Sequence, residues 1–522
     1  MAKQSKRTIV LSPVEELLRK LLLDCRNHIL YNSHDSADLD IWFTGGWVRD
    51  KLLGGESHDI DVALSSMTGF QFVEAVDHHF HFSRSKAEYI AESQRIGVPP
   101  TIKGLHKIEK KPDKSKHLGT ATVEIFGMPV DFVNLRKEFY TEQSRNPQVE
   151  FGTAVEDAYR RDATINSIFY SLDRRQVEDH TQMGLSDLAT GIIRTPLQPT
   201  QTFTDDPLQI LRLVRIASRL GFQIDLNTAQ AMKAPVVRTA FNVKITRERV
   251  GLEVKKMING PEPLTAFELL YENDLYSTVF LDRPGYLRQA LLHNFPRSGP
   301  GIPWPTSWPL AFRNLAFLLQ NRFRYSKRDF WESETRLHIW LMAAWAPLAP
   351  LRRTNIEEVM KGATGAIKTT RPTSKILSDC LKNMDSVHAT VQQVATASAG
   401  VPRGTLGMTI KSWGVSWKLQ MLYALLADAI SYSVDGDAFP DLLHGYLKFM
   451  DHVFDQGLEN APLAKPILNG CELKSIFNLT QKGAFLQVTI DGLVQWQFDH
   501  EHASKTDAIE WVLTQKENFH IP

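Results

Sequence analysis

At 522 residues the chain is too long for one compact core, and length alone predicts about three or four domains. Its 60 Lys and Arg are balanced by 59 Asp and Glu, which excludes a polycation that holds nucleic acid through its overall field and leaves only a local patch for such a role. Cys25, Cys380 and Cys471 lie far apart without metal-type spacing and no apolar run reaches the ~18 residues of a membrane span, so the expectation is an intracellular, soluble protein with reduced thiols, its compartment open between cytoplasm, nucleus and mitochondrion.

The first predicted element is a helix: Ser12 is its candidate N-cap, Pro13 its first residue and Glu15 its capping-box acid, and LLRKLLLDCRNHIL follows at helical spacing. Next comes WFTGGWVRDKLLGGESHDIDVAL, from Trp42 to Leu64. Gly45-Gly46 gives a turn with close backbone access, Trp47 to Leu53 reads as a short helix, and the stretch from Asp59 to Val62 reads as a strand. Side chains alternate across a strand, so Asp59 and Asp61 project from one face while Ile60 and Val62 enter a core. Two bare carboxylates side by side raise one another's pKa, and the usual remedy is a divalent cation with oxygen ligands. With a helix N-terminus facing the acids, the stretch describes a phosphate cradle beside a metal site. An isolated Asp-x-Asp more often caps a loop, so the joint pattern carries this reading.

A second amphipathic helix is predicted between Met67 and His81. Arg95 to His117 is rich in Pro, Gly and Lys, and its Lys103, Lys107, Lys110 and Lys111 make it either a solvated loop or a basic arm toward RNA phosphates. Thr120 to Arg136 reads as a β-hairpin turning at Gly127-Met128-Pro129, with Asp131, a surface or structural acid on the pattern alone, in its return strand. In DAYRRDATIN, Asp157 to Asn166, adjacent Arg160 and Arg161 cannot share a helix face. One is therefore expected to reach phosphate while the other pairs with an acid, and Asp162 and Asn166 stand at i,i+4. Gly184 to Thr195, GLSDLATGIIRT, suits a hinge or a plain turn. Asp205-Asp206-Pro207 is predicted to open a helix with acids at its positive end, and Arg212 and Arg215 share a face of it. Glu248, Arg249 and Glu253 in KITRERVGLEVKKM, Lys244 to Met257, are expected to pair within a helix that braces the preceding one. Beyond about residue 260 apolar residues recur at helical spacing around a Pro/Trp-rich connector from Pro296 to Pro309, and the tryptophans are expected in cores.

Gly45, Gly46, Val48, Arg49, Asp50, Leu52, Leu53, Gly54, Asp59 and Asp61 together spell GGxVRDxLLGxxxxDxD. This resembles the first motif of the class II tRNA nucleotidyltransferases, the CCA-adding enzymes of the polymerase β superfamily, and bacterial poly(A) polymerases share it. RRDATIN at Arg160 to Asn166 is similar to the second motif, RRDxTINA, with Ser167 in place of Ala. Gly184 to Thr195 resembles the third, a hinge; Asp205 to Gln209 the base-reading EDxxR; and Lys244 to Met257 a further helical motif. KPILNG from Lys465 and VQWQFD from Val494 resemble the tail of eukaryotic members.

The resemblance implies an α/β nucleotidyltransferase head with a mixed sheet over residues 1–198. A helical neck with base recognition over 199–275, a helical body over 276–440 and a helical tRNA-binding tail over 441–522 would follow. It implies a monomer that adds nucleotides from CTP and ATP to a tRNA 3′ end without a nucleic-acid template, releasing pyrophosphate. Two Mg²⁺ would sit on Asp59 and Asp61, with Asp131 as a candidate third ligand. Gly45, Gly46, Arg49 and Asp50 would cradle the nucleotide. Arg160, Arg161, Asp162 and Asn166 would meet its triphosphate and ribose, and Asp205, Asp206, Gln209, Arg212 and Arg215 would serve base selection.

The base-reading motif departs from its pattern: Asp205 replaces Glu and Gln209 replaces Arg. Cytosine offers N3 and O2 as neighbouring acceptors beside its N4 amine, which suits an acid and a forked guanidinium. Adenine offers only N1 beside its N6 amine, which one amide donor matches. Gln209 therefore tilts the expectation toward ATP, and the undiminished length of the basic loop leans the same way, because CC-adding bacterial members shorten it. A terminal A-adding enzyme and a poly(A) polymerase are the alternatives to full CCA addition.

Overall fold

The computed structural model describes residues 8–32, 38–57, 59–104, 120–141, 144–281, 285–294, 306–396, 401–430, 432, 438–479 and 483–521. They form two compact units, Met1–Arg249 with Asn273–Leu275, and Val250–Glu272 with Tyr276–Pro522.

The first unit opens with helix α1, Pro13–Asn32, capped by the reciprocal Ser12 and Glu15 contacts and burying Leu17, Leu18, Leu21, Leu22 and Cys25 on one stripe. Strand β1 (Ile41–Thr44), helix α2 (Gly46–Leu52) and strand β2 (Ile60–Leu64) follow, then α3 (Gly69–Phe82), α4 (Lys86–Arg95), β3 (Ile102–Lys103), β4 (Ala121–Ile125), β5 (Met128–Asn134), β6 (Arg136–Thr141) and β7 (Ser144–Phe151). Next come α5 (Ala154–Tyr159), a 3₁₀ turn (Thr164–Asn166), β8 (Ile168–Ser171), β9 (Gln176–Asp179), α6 (Gly184–Thr190) and β10 (Ile192–Ile193). Helices α7 (Pro199–Asp205) and α8 (Leu208–Leu220), strand β11 (Gln223–Ile224), and helices α9 (Leu226–Lys233), α10 (Pro235–Lys244) and α11 (Arg247–Asn259) complete the series.

Seven strands make one mixed sheet in the order β3-β4-β5-β2-β1-β8-β9, in which only β2 and β5 run parallel. Central β1, IWFT, is buried throughout because it has a strand on either side and cover on both faces. Trp42 packs with Ala63, Leu135, Ala158 and Phe169 on one face, and Phe43 packs edge-on to Trp47 of α2 on the other. The β4–β5 hairpin turns at Phe126-Gly127, two residues sharing positive φ (52° and 80°), and not at Gly127-Met128-Pro129. Such a two-residue turn matches the twist of the flanking strands, so Met128 and Pro129 are already in β5.

Among its described residues the second unit holds helices joined by turns and no strand. Its centre is the helix Trp417–Ala429, buried on nearly every side, as an all-round apolar helix must be. Trp308, Trp345 and Trp417 are fully buried, as expected of core tryptophans. Near the C-terminus Leu468, Leu473, Leu493, Ala508 and Val512 form a separate small core. Among the described residues no helix is long and apolar enough to cross a membrane. The three cysteines are free thiols, Cys25 and Cys380 buried and Cys471 exposed.

Candidate active site

The β1-to-α2 turn and the start of β2 build one wall of a cleft of about 440 Å³ in the first unit. Register pairs Thr44 of β1 with Asp61 of β2, so the Gly45 turn leaves the sheet beside the Asp61 carboxylate. Gly45 sits at φ 71° and a Cβ there would lie 2.6 Å from Asp61 Oδ2 and 3.5 Å from an Arg161 Nη1. Only glycine combines that backbone angle with that approach. Helix α2 is held in place from behind: buried Glu15 accepts from Trp47 Nε1 at 3.0 Å and pairs with Lys51 at 2.9 Å.

Two further carboxylates lie near Asp61. Parallel pairing sets Asp131 of β5 directly beside Asp61, and Thr122 donates to Asp131. Asp59, just before β2, is exposed. Burial pushes the Asp61 carboxyl up; Arg161 pulls it down, and the charges of Asp131 and Asp59 push it up again. Of the three, Asp61 alone lines the cleft. Among the described residues no three His, Cys, Asp or Glu side chains close into a metal cage. The donors are nonetheless all oxygens, one of them half-buried and under-neutralised, which fits a hard divalent cation better than it fits a paired structural acid.

The arginines are organised differently from the expectation. Arg160 and Arg161 both hold buried Asp157: Arg160 Nε is 2.8 Å from Oδ1 and Arg161 Nη2 is 2.8 Å from Oδ2. They follow Asp157 by three and four residues at the end of α5, so one carboxylate reaches both. Burial opposes the Asp157 charge, but Arg161 and Arg160 outweigh it and hold the carboxyl below its ordinary range. Arg161 Nη1 also donates to the Asn166 carbonyl at 3.2 Å, and both arginines line the cleft.

Asp162 and Asn166 meet as the spacing predicts, with Asn166 Nδ2 donating to Asp162 Oδ1 at 2.8 Å. They are the middle of a longer ladder. Arg219 pairs with Asp50, Arg49 donates to Asp50 and to Asn166 Oδ1 at 2.7 Å, and Arg212 Nε donates to Asp162 Oδ2 at 2.9 Å. Burial works against Asp162, and Arg212 with Asn166 holds its carboxyl low. Arg49 and Asp50 are therefore structural rungs beneath the glycine turn and do not line the cleft, whereas Gly46, Asp162, Asn166 and Arg212 do.

Asp206 and Gln209 come from the next helical segment. The helix predicted to open at Asp205-Asp206-Pro207 is α8, but it starts at Leu208: Asp205 is the last residue of the preceding α7, Asp206 caps that helix, and its Oδ1 accepts the Leu208 N–H that begins α8. Pro207 breaks the hydrogen-bond ladder between them. Asp206 and Gln209 line the cleft, but Asp205 is turned to Gln201, whose Nε2 donates to both its oxygens, and Arg215 is not a lining residue. Lys103 lies on edge strand β3, 3.7 Å from Glu124, while Lys107, Lys110 and Lys111 lie outside the described residues.

Residues 41–194 match the family described as the poly A polymerase head domain, and residues 221–286 the one described as the probable RNA and SrmB-binding site of polymerase A. The nucleotidyltransferase lcsQ of Purpureocillium lilacinum is 36% identical over 99% of this chain and 94% of its own length. The mitochondrial CCA tRNA nucleotidyltransferase of Saccharomyces cerevisiae is 33% identical over 96% of this chain and 93% of its own. The chain belongs to the tRNA nucleotidyltransferase family. Its fold is also that of a solved CCA-adding enzyme, apo form II, with a TM-score of 0.62 at 19% identity over 97% of this chain and 96% of that one.

Several residues of this nucleotidyltransferase cleft carry no role in the sequence reading. Arg136 and Glu138 of β6 line it, 3.1 Å apart, and Glu138 is also 3.5 Å from Arg160. No local spacing signals them, because tertiary folding brings β6 there. Asp157 was legible, since an acid three and four residues ahead of two arginines is a helical pairing pattern. Asp187, inside the hinge-like motif, accepts from Thr164 Oγ1 at 2.7 Å and pairs with Arg194 at 3.2 Å, so that motif supports the Arg160-to-Asn166 turn. Arg249 was expected to brace a helix, but it lines the cleft.

Proposed function

We propose that this enzyme builds and repairs the 3′-terminal CCA of tRNA, taking CTP and ATP in turn and selecting them with amino-acid side chains. The observation that carries this reading is one cleft lined both by a glycine turn against an under-neutralised aspartate and by the Asp206–Gln209 pair. Asp59 and Asp61, with Asp131 beside them, would hold two Mg²⁺. When bound, these cations activate the attacking 3′-hydroxyl and stabilise the leaving oxygens. Gly45 and Gly46 let the triphosphate approach the backbone at the start of α2, and Arg161, at the edge of that turn, neutralises phosphate charge. Asp157 keeps Arg160 and Arg161 rigid, so no reorganisation is needed as charge develops. The Asp162–Asn166–Arg49 ladder fixes the ribose side, and residues 199–275 carry the base-reading groups. The tail, residues 441–522, grips the outer part of the tRNA.

The narrower alternatives, terminal A addition and poly(A) synthesis, are not favoured. Full-length relatives carry the name CCA tRNA nucleotidyltransferase, and Gln209 is accompanied in the cleft by Arg212 and Arg249, so the site does not lack guanidinium donors. The test is incorporation on three tRNA transcripts ending at the discriminator base, at C and at CC, with CTP, ATP and both. Completion of CCA from every start is expected. Extension of the CC end alone, or open-ended A tails, would overturn the reading.

A further inference from the structure

Gln209 leaves α8 without the guanidinium that its base-reading position normally carries, and a neighbouring helix offers one. Arg249, in the first turn of α11, lines the same cleft as Asp206 and Gln209. Burial raises the Asp206 carboxyl, and Arg249 is the largest of the influences that draw it back. The other cleft arginines are engaged: Arg160 and Arg161 with Asp157, Arg212 with Asp162, and Arg136 with Glu138. Among the described residues no hydrogen bond or ion pair ties down the Arg249 guanidinium in this way.

A second observation comes from Gln209 itself, whose Oε1 is buried with no hydrogen-bond partner. A buried amide carbonyl without a donor is costly and calls for one. A guanidinium has five N–H donors in a planar fork, enough to satisfy that oxygen and still present two donors to a base edge.

We propose that Arg249 is the guanidinium of the nucleobase-selection site, with Asp206 accepting from the exocyclic amine and the Gln209 carbonyl seating the arginine. The proposal rests on the reading of the chain as a CCA-adding enzyme and names the groups that read the base. A fork meets both N3 and O2 of cytosine but only N1 of adenine, so Arg249 matters more for CTP than for ATP. The exchange of Arg for Gln on α8 then moves the donor to α11 and does not abolish cytosine recognition. This also accounts for an arginine, and not a lysine, at the position: a point charge reads no base edge.

The experiment measures kcat and KM for CTP and for ATP with purified full-length protein. Transcripts ending at the discriminator base and at CC are the acceptors, and Arg249→Ala, Arg249→Lys and the Gln209→Arg, Arg249→Ala double variant are compared with wild type. A bidentate contact discriminates bases by roughly tenfold or more. Both single variants are therefore expected to lose about tenfold more kcat/KM for CTP than for ATP, chiefly through KM. The double variant should recover CTP use. Equal losses for the two nucleotides in Arg249→Lys, or an unchanged CTP-to-ATP ratio, would overturn the assignment; if Arg249→Ala does not fold by thermal melting, Arg249→Lys decides. A wild type unable to use CTP overturns the CCA-adding reading instead. Arg249→Lys must then still lower discrimination of ATP against GTP, or the assignment falls with it.

Discussion

Asp61 and Asp162 are the same residue type lining the same cleft, yet their surroundings treat them in opposite ways. Asp162 owns its cations and donors, with Arg212 on one oxygen and Asn166 on the other, and its carboxyl is held low. Asp61 has a glycine turn against it and two further carboxylates near it, and its carboxyl is pushed up by burial. Asp157, gripped by two arginines, belongs with Asp162. The difference separates acids that serve the framework from an acid left short of positive charge. A buried charge already neutralised has nothing left to offer a metal, whereas one left short stabilises whatever positive charge arrives.

The largest expected effect falls on the acid without a partner. Asp61→Asn should lower kcat for nucleotide incorporation by at least ~10²–10³-fold, the scale on which preorganised charge acts in a site. Its thermal midpoint should not fall, because a poorly neutralised, half-buried charge is removed. A variant that keeps full incorporation, or that loses activity only because it unfolds, breaks the distinction.

Asp157→Ala should do the reverse and act through the fold. It leaves nearly buried Arg161 without its counter-charge and Arg160 with only the longer contact to Glu138, and removing one partner of a buried ion pair costs about 3–5 kcal/mol. Urea unfolding reads this directly. The pH dependence has a definite sign: the folded carboxyl lies below the ordinary Asp value of about 3.9. Its stabilisation is present above that ordinary value and is lost as pH falls through the folded one. Wild type should therefore lose stability on acidification more steeply than the variant; parallel acid profiles would place the ion pair's contribution elsewhere.

Arg219→Ala probes the weakest rung of the ladder. Its 3.4 Å contact to Asp50 has the arginine side chain half exposed, where screening leaves only ~0.2–1 kcal/mol. A loss several times larger in the same unfolding assay would mean that the Asp50–Arg49–Asn166 chain depends on its outer end.

The head's local elements were written in the sequence because each depends on neighbours along the chain. Ser12, Pro13 and Glu15 start α1 by contacts within one turn, Gly45 makes the turn by its own backbone freedom, and Asp157 reaches Arg160 and Arg161 across one turn of helix. The alternation that puts Asp61 on one face of β2 and Ile60 and Val62 in the core is likewise a property of any strand. Small shifts came from turn geometry, as at Phe126-Gly127, and from Pro207, at which α8 begins with Leu208 while Asp205 ends the helix before it.

Which of these residues share a cleft was decided only by the tertiary structure. Parallel pairing of β2 with β5 sets Asp131 beside Asp61, and β6 carries Arg136 and Glu138 into the cleft lining. Arg49 and Asp50, inseparable by motif from Gly46, are withdrawn beneath the turn, and Asp205 turns from the cleft that its neighbour Asp206 lines. The sequence specifies the chemical groups and their local geometry. Long-range pairing and burial assign each charge its partner, and that assignment decides whether an acid holds the fold or is left open for chemistry.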